Sequence, residues 1–353
     1  MADAPDRSPG ARGFRRHAEW QPHEATWLTW PHCQDTWPGV VIDEVVAPAY
    51  VAMVDALRQG ETVHVNVLSD EHAAAVAERL RQSGVASGEG TPVRLHVVPT
   101  DDEWVRDYGA LFVVDGQGGR LATDWTFNAW GGKYDRTEQN NTVPAAMAAV
   151  HGAERVAFDV VFEGGSVDVN GAGLALTTES CLLNPNRNPG LEKSEIEQLL
   201  YDGLGVTETL WLGDGIAGDD TDGHVDDVTR FVGERTVVTA VEPDPDDVNH
   251  APLAENAERL RAWRGRDGRG LEVVELPMPP ALFHDGERLP ASYANFLIAN
   301  AATLMPSFGA PQDDAAAAVL ERVLNRPVAR IPATDLVWGL GACHCLSQDV
   351  PAL

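Results

Sequence analysis

The chain alternates short apolar runs with glycine- or asparagine-containing turns, and the same order recurs four times. Each recurrence joins two runs rich in β-branched and aromatic residues through a turn of a few residues, which is typical of a β-hairpin. The pattern therefore predicts four hairpins, over residues 110–124, 167–178, 228–241 and 296–305.

Helical segments lie between or after these hairpins. Residues 69–80 begin with a serine cap and an acidic first turn. Residues 194–200 begin with Ser194 followed three residues later by Glu197, which is the pattern of a capping box. Two further helices are predicted from their content of alanine, glutamate and leucine, over residues 251–263 and 313–324.

The turns recur at intervals of about 55–65 residues, which is typical of repeated α/β units. A strand at residues 26–30, joined by the C-terminal segment, would complete a fifth unit. We expect a mixed α/β fold, for which the pattern leaves two alternatives, a pseudo-fivefold arrangement of radial units and a plain α/β sandwich. Residues 1–15 are expected to be flexible because they are rich in proline, glycine and arginine, and residues 16–353 are expected to form a single domain.

The net charge of the chain restricts the kinds of partner that we expect it to bind. The 353 residues include 26 lysines and arginines against 54 aspartates and glutamates, a formal net charge of −28. Such a balance argues against nucleic acid and against an anionic membrane as partners, and it suits a cationic ligand. The sequence has no apolar run long enough to span a membrane and no recognisable secretory signal. We therefore expect a cytoplasmic protein with reduced thiols.

Acids, a histidine and a cysteine occur just before the hairpins or near the end of the chain. Asp107 precedes the first hairpin, Glu163 the second, and His224 and Asp226 the third, while Cys345 lies near the C-terminus. If the units are radial, these side chains meet near one axis. A thiolate is a nucleophile and a histidine can act as general acid and base, but carboxylates oppose thiolate formation unless a cation lies among them. A planar guanidinium is such a cation, so the set indicates chemistry on a guanidine or amidine.

Each of these groups has a second interpretation. The five aspartates in residues 219–227 could belong to a solvated loop or to a Ca²⁺-binding loop, although their spacing is not that of an EF-hand. Cys343 and Cys345 could be half of a zinc site, but the sequence has no second closely spaced ligand pair. A non-catalytic guanidinium-binding protein would use the acids and would not need the thiol.

A series of dispersed segments resembles one known family. They are AEWQPHEA at 18–25, WLTWP at 27–31, DEWVRD at 102–107, FNAWGG at 127–132, EGGS at 163–166, TTESCLLNPNR at 177–187, DTDGHVD at 220–226 and WGLGACHC at 338–345. In this order, over nearly the whole chain, they resemble agmatine deiminase and the related bacterial-type peptidylarginine deiminases of the guanidino-group-modifying (pentein) superfamily. The resemblance implies a five-bladed α/β propeller with the active site on its pseudo-fivefold axis.

The resemblance also implies a hydrolytic mechanism. Cys345 would attack the guanidinium carbon and become a covalent amidino-cysteine. His224 would act as general acid and base, first for the departing ammonia and then for the attacking water. Glu163 would orient His224 by a hydrogen bond. No metal and no organic cofactor is implied.

Four further residues are expected to bind the substrate. By the same resemblance, Asp107 and Asp226 would hold the guanidinium nitrogens, so that both also count among the catalytic set. Trp104 and Asp220 would lie near the tail of the substrate.

The substrate is expected to be agmatine, converted to N-carbamoylputrescine and ammonia on the way to putrescine and the polyamines. Arginine residues in peptides and other small guanidines, free arginine among them, stay as alternatives. The agmatine-specific branch differs from this chain before the His-Cys pair, where Ala342 and Cys343 stand. Cys343 is therefore expected to be either a bystander or one half of a redox pair with Cys345. The resemblance also suggests a homo-oligomer.

Overall fold

The computed structural model describes residues 8–353, in which strands and helices alternate along almost the whole chain. The strands are β1 (Arg15–Arg16), β2 (His23–Thr29), β3 (Thr62–Val67), β4 (Val93–Val97), β5 (Leu111–Val114), β6 (Arg120–Thr126), β7 (Glu154–Val161), β8 (Asp168–Val169), β9 (Leu174–Thr178), β10 (Glu208–Leu212), β11 (Thr229–Phe231), β12 (Thr236–Val241), β13 (Glu272–Pro277), β14 (Phe283–His284), β15 (Glu287–Arg288), β16 (Leu297–Ile298), β17 (Thr303–Ser307), β18 (Val328–Pro332) and β19 (Ser347–Pro351). The helices are α1 (Ile42–Val45), α2 (Ala47–Leu57), α3 (Asp70–Gln82), α4 (Val105–Tyr108), α5 (Ala129–Gly132), α6 (Val143–Val150), α7 (Glu179–Leu182), α8 (Lys193–Leu204), α9 (His250–Ala262) and α10 (Gln312–Leu324).

Five of the six sheets have the same internal order. Each contains an antiparallel pair followed by a parallel strand, and a helix connects the two parallel strands, as such crossovers require. The antiparallel pairs are β5–β6, β8–β9, β11–β12, β16–β17 and β19–β2. The parallel pairs that follow are β6–β7, β9–β10, β12–β13, β17–β18 and β2–β3, connected through α6, α8, α9, α10 and α2. The sixth sheet is the separate hairpin β14–β15.

This architecture confirms the mixed α/β class and all four hairpins predicted from the apolar runs. It also confirms the pairing of the N-terminal strand with the C-terminal segment, because β2 and β19 are antiparallel neighbours with Trp27 opposite Gln348. Residues 1–7 of the stretch expected to be flexible lie outside the described residues. Residues 8–14 form hydrogen-bonded turns, and β1 begins at Arg15.

The helices form where capping and burial coincide. At α3 the Ser69 side chain accepts a hydrogen bond from the His72 backbone N–H at 3.1 Å, as the serine cap predicted. The same helix buries Val76 and Leu80 against the core.

The capping box predicted at Ser194 and Glu197 is wrong. Helix α8 begins earlier, and the reciprocal bonds are formed by Glu192 and Glu195, whose carboxylate accepts from the Glu192 N–H at 2.8 Å. Glu197 instead accepts a hydrogen bond from the Trp211 indole at 2.9 Å. The two glutamates three residues apart provide the same pair of bonds that serine and glutamate would, so the helix gains two residues at its start.

Three apolar clusters hold the sheets and helices together. The largest contains the buried Trp27, Trp30 and Trp37 together with most of the residues that surround β2 and β3. Two smaller clusters lie under α8 and under α9. No helix of the described residues 8–353 is long and apolar enough to cross a membrane. The cytoplasmic location, the homo-oligomer and the single domain over residues 16–353 stay predictions.

Candidate active site

The polar side chains of interest all lie in the segment that precedes the antiparallel pair of a sheet. Helix α4 precedes β5, the single 3₁₀ turns Gly164–Ser166 and Val225–Asp227 precede β8 and β11, and Cys345 precedes β19. A fifth segment, before β16, contributes Asn295. Five equivalent segments therefore supply the groups described below.

Cys345 is 5% exposed, and its sulfur is surrounded by polar atoms. The Asn295 amide donates a hydrogen bond to Sγ at 2.9 Å, and Asp226 Oδ2 lies 3.7 Å from Sγ. Burial raises the pKa of this thiol well above its ordinary value, and the charges of Asp226, Asp227 and Asp107 raise it further. Burial and these acids therefore favour the protonated thiol, and a cation among the acids would favour the thiolate.

Asp107 is buried on α4 and is held by two donors. The Trp130 indole donates to Oδ2 at 2.9 Å and the Gly165 backbone N–H donates to Oδ1 at 3.0 Å. Burial raises the pKa of Asp107 to about 6, and the charges of Asp226 and Glu163 act in the same direction. Its carboxylate is therefore fixed in position, and it becomes protonated at a higher pH than an ordinary aspartate.

His224 is completely buried between two carboxylates. Its Nδ1 lies 3.7 Å from Asp107 Oδ1, and its Nε2 lies 3.8 Å from Glu163 Oε2. Both separations exceed a hydrogen bond, and neither ring nitrogen has a hydrogen-bond partner within residues 8–353. Burial opposes its charge, but Asp107, Cys181 and Glu163 raise the pKa of His224 well above its ordinary value. These three groups therefore favour the protonated imidazole.

Glu163 is fixed from behind by Arg187. The Arg187 Nε donates to Glu163 Oε1 at 2.8 Å, and the Arg187 Nη2 donates to the carbonyl oxygen of Thr221 at 2.8 Å. Although burial would raise the pKa of Glu163, the His224 and Arg187 side chains hold it below its ordinary value. The second oxygen, Oε2, has no hydrogen-bond partner among the described residues and faces His224.

Asp226 lies at the other side of the thiol and is completely buried. His344 Nδ1 lies 2.6 Å from its Oδ2, while its Oδ1 has no hydrogen-bond partner among residues 8–353. Burial would raise the pKa of Asp226, but the bond to His344 and the positive charges of His344 and His224 hold it below its ordinary value. We call Asp107, Glu163, His224, Asp226 and Cys345 the pocket cluster.

Gly165 lets the backbone approach the pocket cluster closely. A Cβ at this position would lie 2.6 Å from His224 Nδ1, 2.9 Å from Asp107 Oδ1 and 3.1 Å from Asp226 Oδ2. Any larger residue would therefore clash with the histidine and the two aspartates. The absence of a side chain here also allows the Gly165 N–H to bind Asp107.

A cavity of about 380 Å³ opens onto this cluster, and Cys345, Asp107 and Trp104 all line it. Its other acidic lining residues are Asp35, Asp102, Asp220, Asp285 and Glu287. Arg136 is the one arginine or lysine in the lining within the described part of the chain. The cavity is therefore suited to a cationic ligand whose reacting end reaches Cys345.

The residues expected near the substrate tail both line the cavity. Trp104 is buried, whereas the Asp220 side chain is 37% exposed at the rim. The Tyr134 hydroxyl donates to Asp220 Oδ2 at 2.5 Å, and Lys133 Nζ lies 3.5 Å from Asp220 Oδ1. Asp220 is thus already engaged by two neighbours at the mouth.

Several residues of the site were not predicted from the sequence. Trp130 and Arg187 stood in the quoted segments without a role, and His344 stood beside Cys345. Asn295 could have been found by the repeat itself, since it precedes the fourth hairpin as the other groups precede theirs. Glu19 stood in the quoted segment at 18–25, also without a role, and it contacts His344 from far away in the sequence.

Three groups of side chains in residues 8–353 have the composition of a metal site. They are Glu163 with Cys181 and His224; Asp226 with Asp227 and Cys345; and His17 with His23 and Asp349. Cys343 belongs to none of them, so nothing supports the zinc interpretation of the Cys343 and Cys345 pair. In the aspartate-rich loop, Asp219 accepts from the His224 N–H at 3.0 Å and Asp222 is bound by Lys133 and Arg187, which leaves no support for a Ca²⁺ loop.

Comparison with known proteins places this site among relatives of known class. The family model described as Porphyromonas-type peptidyl-arginine deiminase matches residues 15–351. Agmatine deiminase of Pseudomonas aeruginosa is 36% identical over 99% of this chain and 98% of its own. The structure of agmatine deiminase of Enterococcus faecalis has a TM-score of 0.90 at 30% identity, covering 99% of this chain and 98% of its own. A substrate-bound agmatine deiminase of C. jejuni, in which a cysteine is replaced by serine, has a TM-score of 0.84 at 30% identity and covers 96% of both chains.

Proposed function

The chain belongs to the Porphyromonas-type peptidyl-arginine deiminase family, and from this premise we propose that it hydrolyses agmatine to N-carbamoylputrescine and ammonia. The observation that carries the proposal is the meeting of Cys345 and Asp107 at one cavity with His224, Glu163 and Asp226 directly behind them. Agmatine has a guanidinium at one end and an ammonium at the other. The acidic lining of the cavity fits both charges.

Substrate binding prepares the nucleophile. The guanidinium reaches Cys345 through the cavity and donates to Asp107 and Asp226, which are among the acids that raise the pKa of the thiol. Its positive charge offsets theirs, so the thiol of Cys345 loses its proton to water and becomes the thiolate. The Asn295 amide, at 2.9 Å from Sγ, stabilises the negative sulfur.

The thiolate then attacks the guanidinium carbon and forms a neutral tetrahedral adduct. His224, whose pKa is raised so that it favours the protonated form, gives its proton to one nitrogen, which leaves as ammonia, and the positive amidino-cysteine remains. The neutral His224 next accepts a proton from water as its oxygen bonds to the carbon. As the C–S bond of the second adduct breaks, its hydroxyl proton passes to water, and the neutral ureido product and the Cys345 thiolate are released. Glu163, held by Arg187, stabilises the protonated His224 in both halves.

We also propose that the five sheets surround one axis as a five-bladed propeller within a single domain over residues 16–353. The support is the same strand order in five sheets and the five pre-hairpin segments that contribute to one site. An experimental structure with the pocket cluster away from the centre of the five sheets would contradict this arrangement.

Incubation with agmatine, free arginine and a blocked arginine peptide, with measurement of the ureido product, tests the substrate. We expect turnover of agmatine with a kcat/KM at least about tenfold above the other two, because two cationic ends match the acidic cavity better than one. A preference for the peptide would contradict agmatine as the substrate and leave deimination intact. Absence of product from all three would contradict deimination itself.

A further inference from the structure

His344 occupies a buried position between two carboxylates. Its Nδ1 lies 2.6 Å from Asp226 Oδ2, and its Nε2 lies 2.9 Å from Glu19 Oε2. The ring is 2% exposed, and it stands next in sequence to Cys345. His344 therefore connects an acid of the pocket cluster with an acid outside it.

The two contacts place an acceptor at each ring nitrogen of His344. A carboxylate accepts hydrogen bonds and donates none, so with both carboxylates ionised each contact is made by an N–H of the ring. Although burial would raise the pKa of Glu19, Arg230 and His344 hold it below its ordinary value, and the pKa of Asp226 is likewise held low. His344 therefore bridges two carboxylates that both favour the ionised form.

Glu19 is itself held in place by other groups. Its Oε1 accepts from the Ile298 backbone N–H at 2.7 Å and lies 2.9 Å from Arg230 Nη2. The Arg106 guanidinium lies 3.4 Å from Oε2. Glu19 is therefore anchored in the fold, whereas His344 is the only ion-pair partner of Asp226 within 4 Å among residues 8–353.

We propose that His344, anchored by Glu19, is a positioning residue that holds the Asp226 carboxylate, in its charged form, beside Cys345 for the guanidinium of the substrate. This inference rests on the proposed deiminase function. His344 does not line the cavity, and it acts on the substrate only through Asp226. With Oδ2 fixed at 3.7 Å from Sγ, the aspartate is placed beside the carbon that the sulfur attacks.

Other charges also face Asp226, and they bear on its response to pH. They are Asp107 on α4, Asp219, His224 and Asp227 in the preceding loop and turn, Arg230 on β11, and Cys345 beside His344. His224 and Arg230 act with His344 to hold the pKa of Asp226 down against the effect of burial, so the loss of His344 removes part of what keeps this carboxylate charged. Without His344 the carboxylate would become protonated at a higher pH.

The test replaces His344 by glutamine, which keeps the size and one N–H donor but removes the charge and the second contact. For His344→Gln we expect KM for agmatine to rise about 10- to 100-fold, since a hydrogen bond to a charged group is lost, with a smaller fall in kcat. The acid limb of kcat/KM moves to higher pH than in the wild type. A purely structural role would lower the melting temperature and leave KM and the pH limb unchanged, and that result would overturn the proposal.

His17 provides the matched control. It is also a buried histidine, 2.9 Å from the carboxylate of Asp349, but it makes no contact with Asp226. His17→Gln is expected to keep the wild-type KM and pH limb even if it lowers the melting temperature. An equal rise of KM in His17→Gln would overturn a specific role for His344.

If His344→Gln does not fold, Glu19→Gln decides the question. The amide oxygen of Gln at position 19 can still accept from the Ile298 N–H, but His344 loses its carboxylate partner. We therefore expect KM for agmatine to rise as in His344→Gln, but to a smaller extent. A folded Glu19→Gln with wild-type KM and pH limb would overturn the proposal. Wild-type turnover of agmatine, measured in the same series, separates these failures from a failure of the deiminase function itself.

Discussion

Two buried charged regions lie next to each other in this molecule, and they differ in how completely their buried polar atoms are partnered. In the first, which we call the paired network, each acid faces a cation, and its members are Arg16, Glu19, Arg106, Asp168, Arg230 and Asp349. Arg230, for example, lies 2.6 Å from Asp168 and 2.9 Å from Glu19. The second is the pocket cluster, in which Asp226 Oδ1, Glu163 Oε2 and both nitrogens of His224 have no hydrogen-bond partner among residues 8–353.

The difference shows which region is built for the fold and which for a ligand. A buried polar atom without a partner destabilises a protein, so unpartnered atoms persist where something else needs them. A planar guanidinium would supply the missing donors to the acids and the missing positive charge beside Cys345. We expect the two regions to respond oppositely to the same kinds of substitution, and the predictions below test that contrast.

The largest expected effect separates two neighbouring buried thiols. Cys345→Ser removes the nucleophile, so ammonia release from agmatine should fall by at least about 1,000-fold while the protein stays folded. Cys343→Ala changes a cysteine two residues away that belongs to the apolar core, and it should keep kcat within a few-fold of wild type. Retained turnover in Cys345→Ser would exclude this thiol as the nucleophile, and inactivity of a folded Cys343→Ala would reopen the redox pair.

The next prediction concerns the free energy of unfolding, which should fall on substitution in the paired network and rise on substitution in the pocket cluster. Burial would raise the pKa of Asp349, but the charges of Arg16 and His17 hold it well below its ordinary value. Asp349→Asn leaves the buried Arg16 guanidinium without this carboxylate and should lower the free energy of unfolding by about 3–5 kcal/mol at about pH 8.

Asp107→Asn should act in the opposite direction in the same measurement. The folded pKa of Asp107, about 6, lies above the ordinary value, so the folded state binds more protons and stability is lost as pH rises through that interval. Asparagine removes this penalty, and we expect the free energy of unfolding at about pH 8 to rise by about 1–2 kcal/mol, with activity lost. Denaturant titration of both variants measures the pair, and a destabilised Asp107→Asn would contradict the contrast.

The smallest expected effect is the fall of kcat/KM at low pH. Asp107 must be ionised to hold a guanidinium, and burial raises its pKa to about 6. In the wild type, kcat/KM for agmatine should therefore fall about tenfold per pH unit below about pH 6. Circular dichroism at the same pH values serves as the control for unfolding. A flat profile down to about pH 4.5 would mean that the charge of Asp107 is not needed.

Much of the fold could be predicted from the sequence because its signals are local. Alternating apolar runs with Asn170-Gly171-type turns gave the hairpins, and the serine cap gave the start of α3. The start of α8 was misplaced because Glu192 and Glu195 form a capping box without a serine or threonine. The radial arrangement follows from pattern alone only as one of two alternatives, since no local signal fixes how sheets stand relative to one another.

The site could be predicted in part for a similar reason. The resemblance supplied Asp107, Glu163, His224, Asp226 and Cys345, whose roles stay predictions, and the structure brings these five side chains together. His344 and Glu19 stood in the quoted segments and Asn295 stood before the fourth hairpin, but none of the three was given a role, because their importance depends on contacts between residues 49 to 325 positions apart. The spacing of a single sequence does not show which of these distant residues touch.

Mass spectrometry of the acid-quenched enzyme during turnover of agmatine tests directly whether Cys345 is the nucleophile. We expect an amidino adduct on the peptide that contains Cys345. The adduct should be absent from Cys345→Ser and absent when agmatine is omitted. Turnover with the Cys345 peptide unmodified at every quench time, or an adduct on Cys33, Cys181 or Cys343 instead, would contradict it.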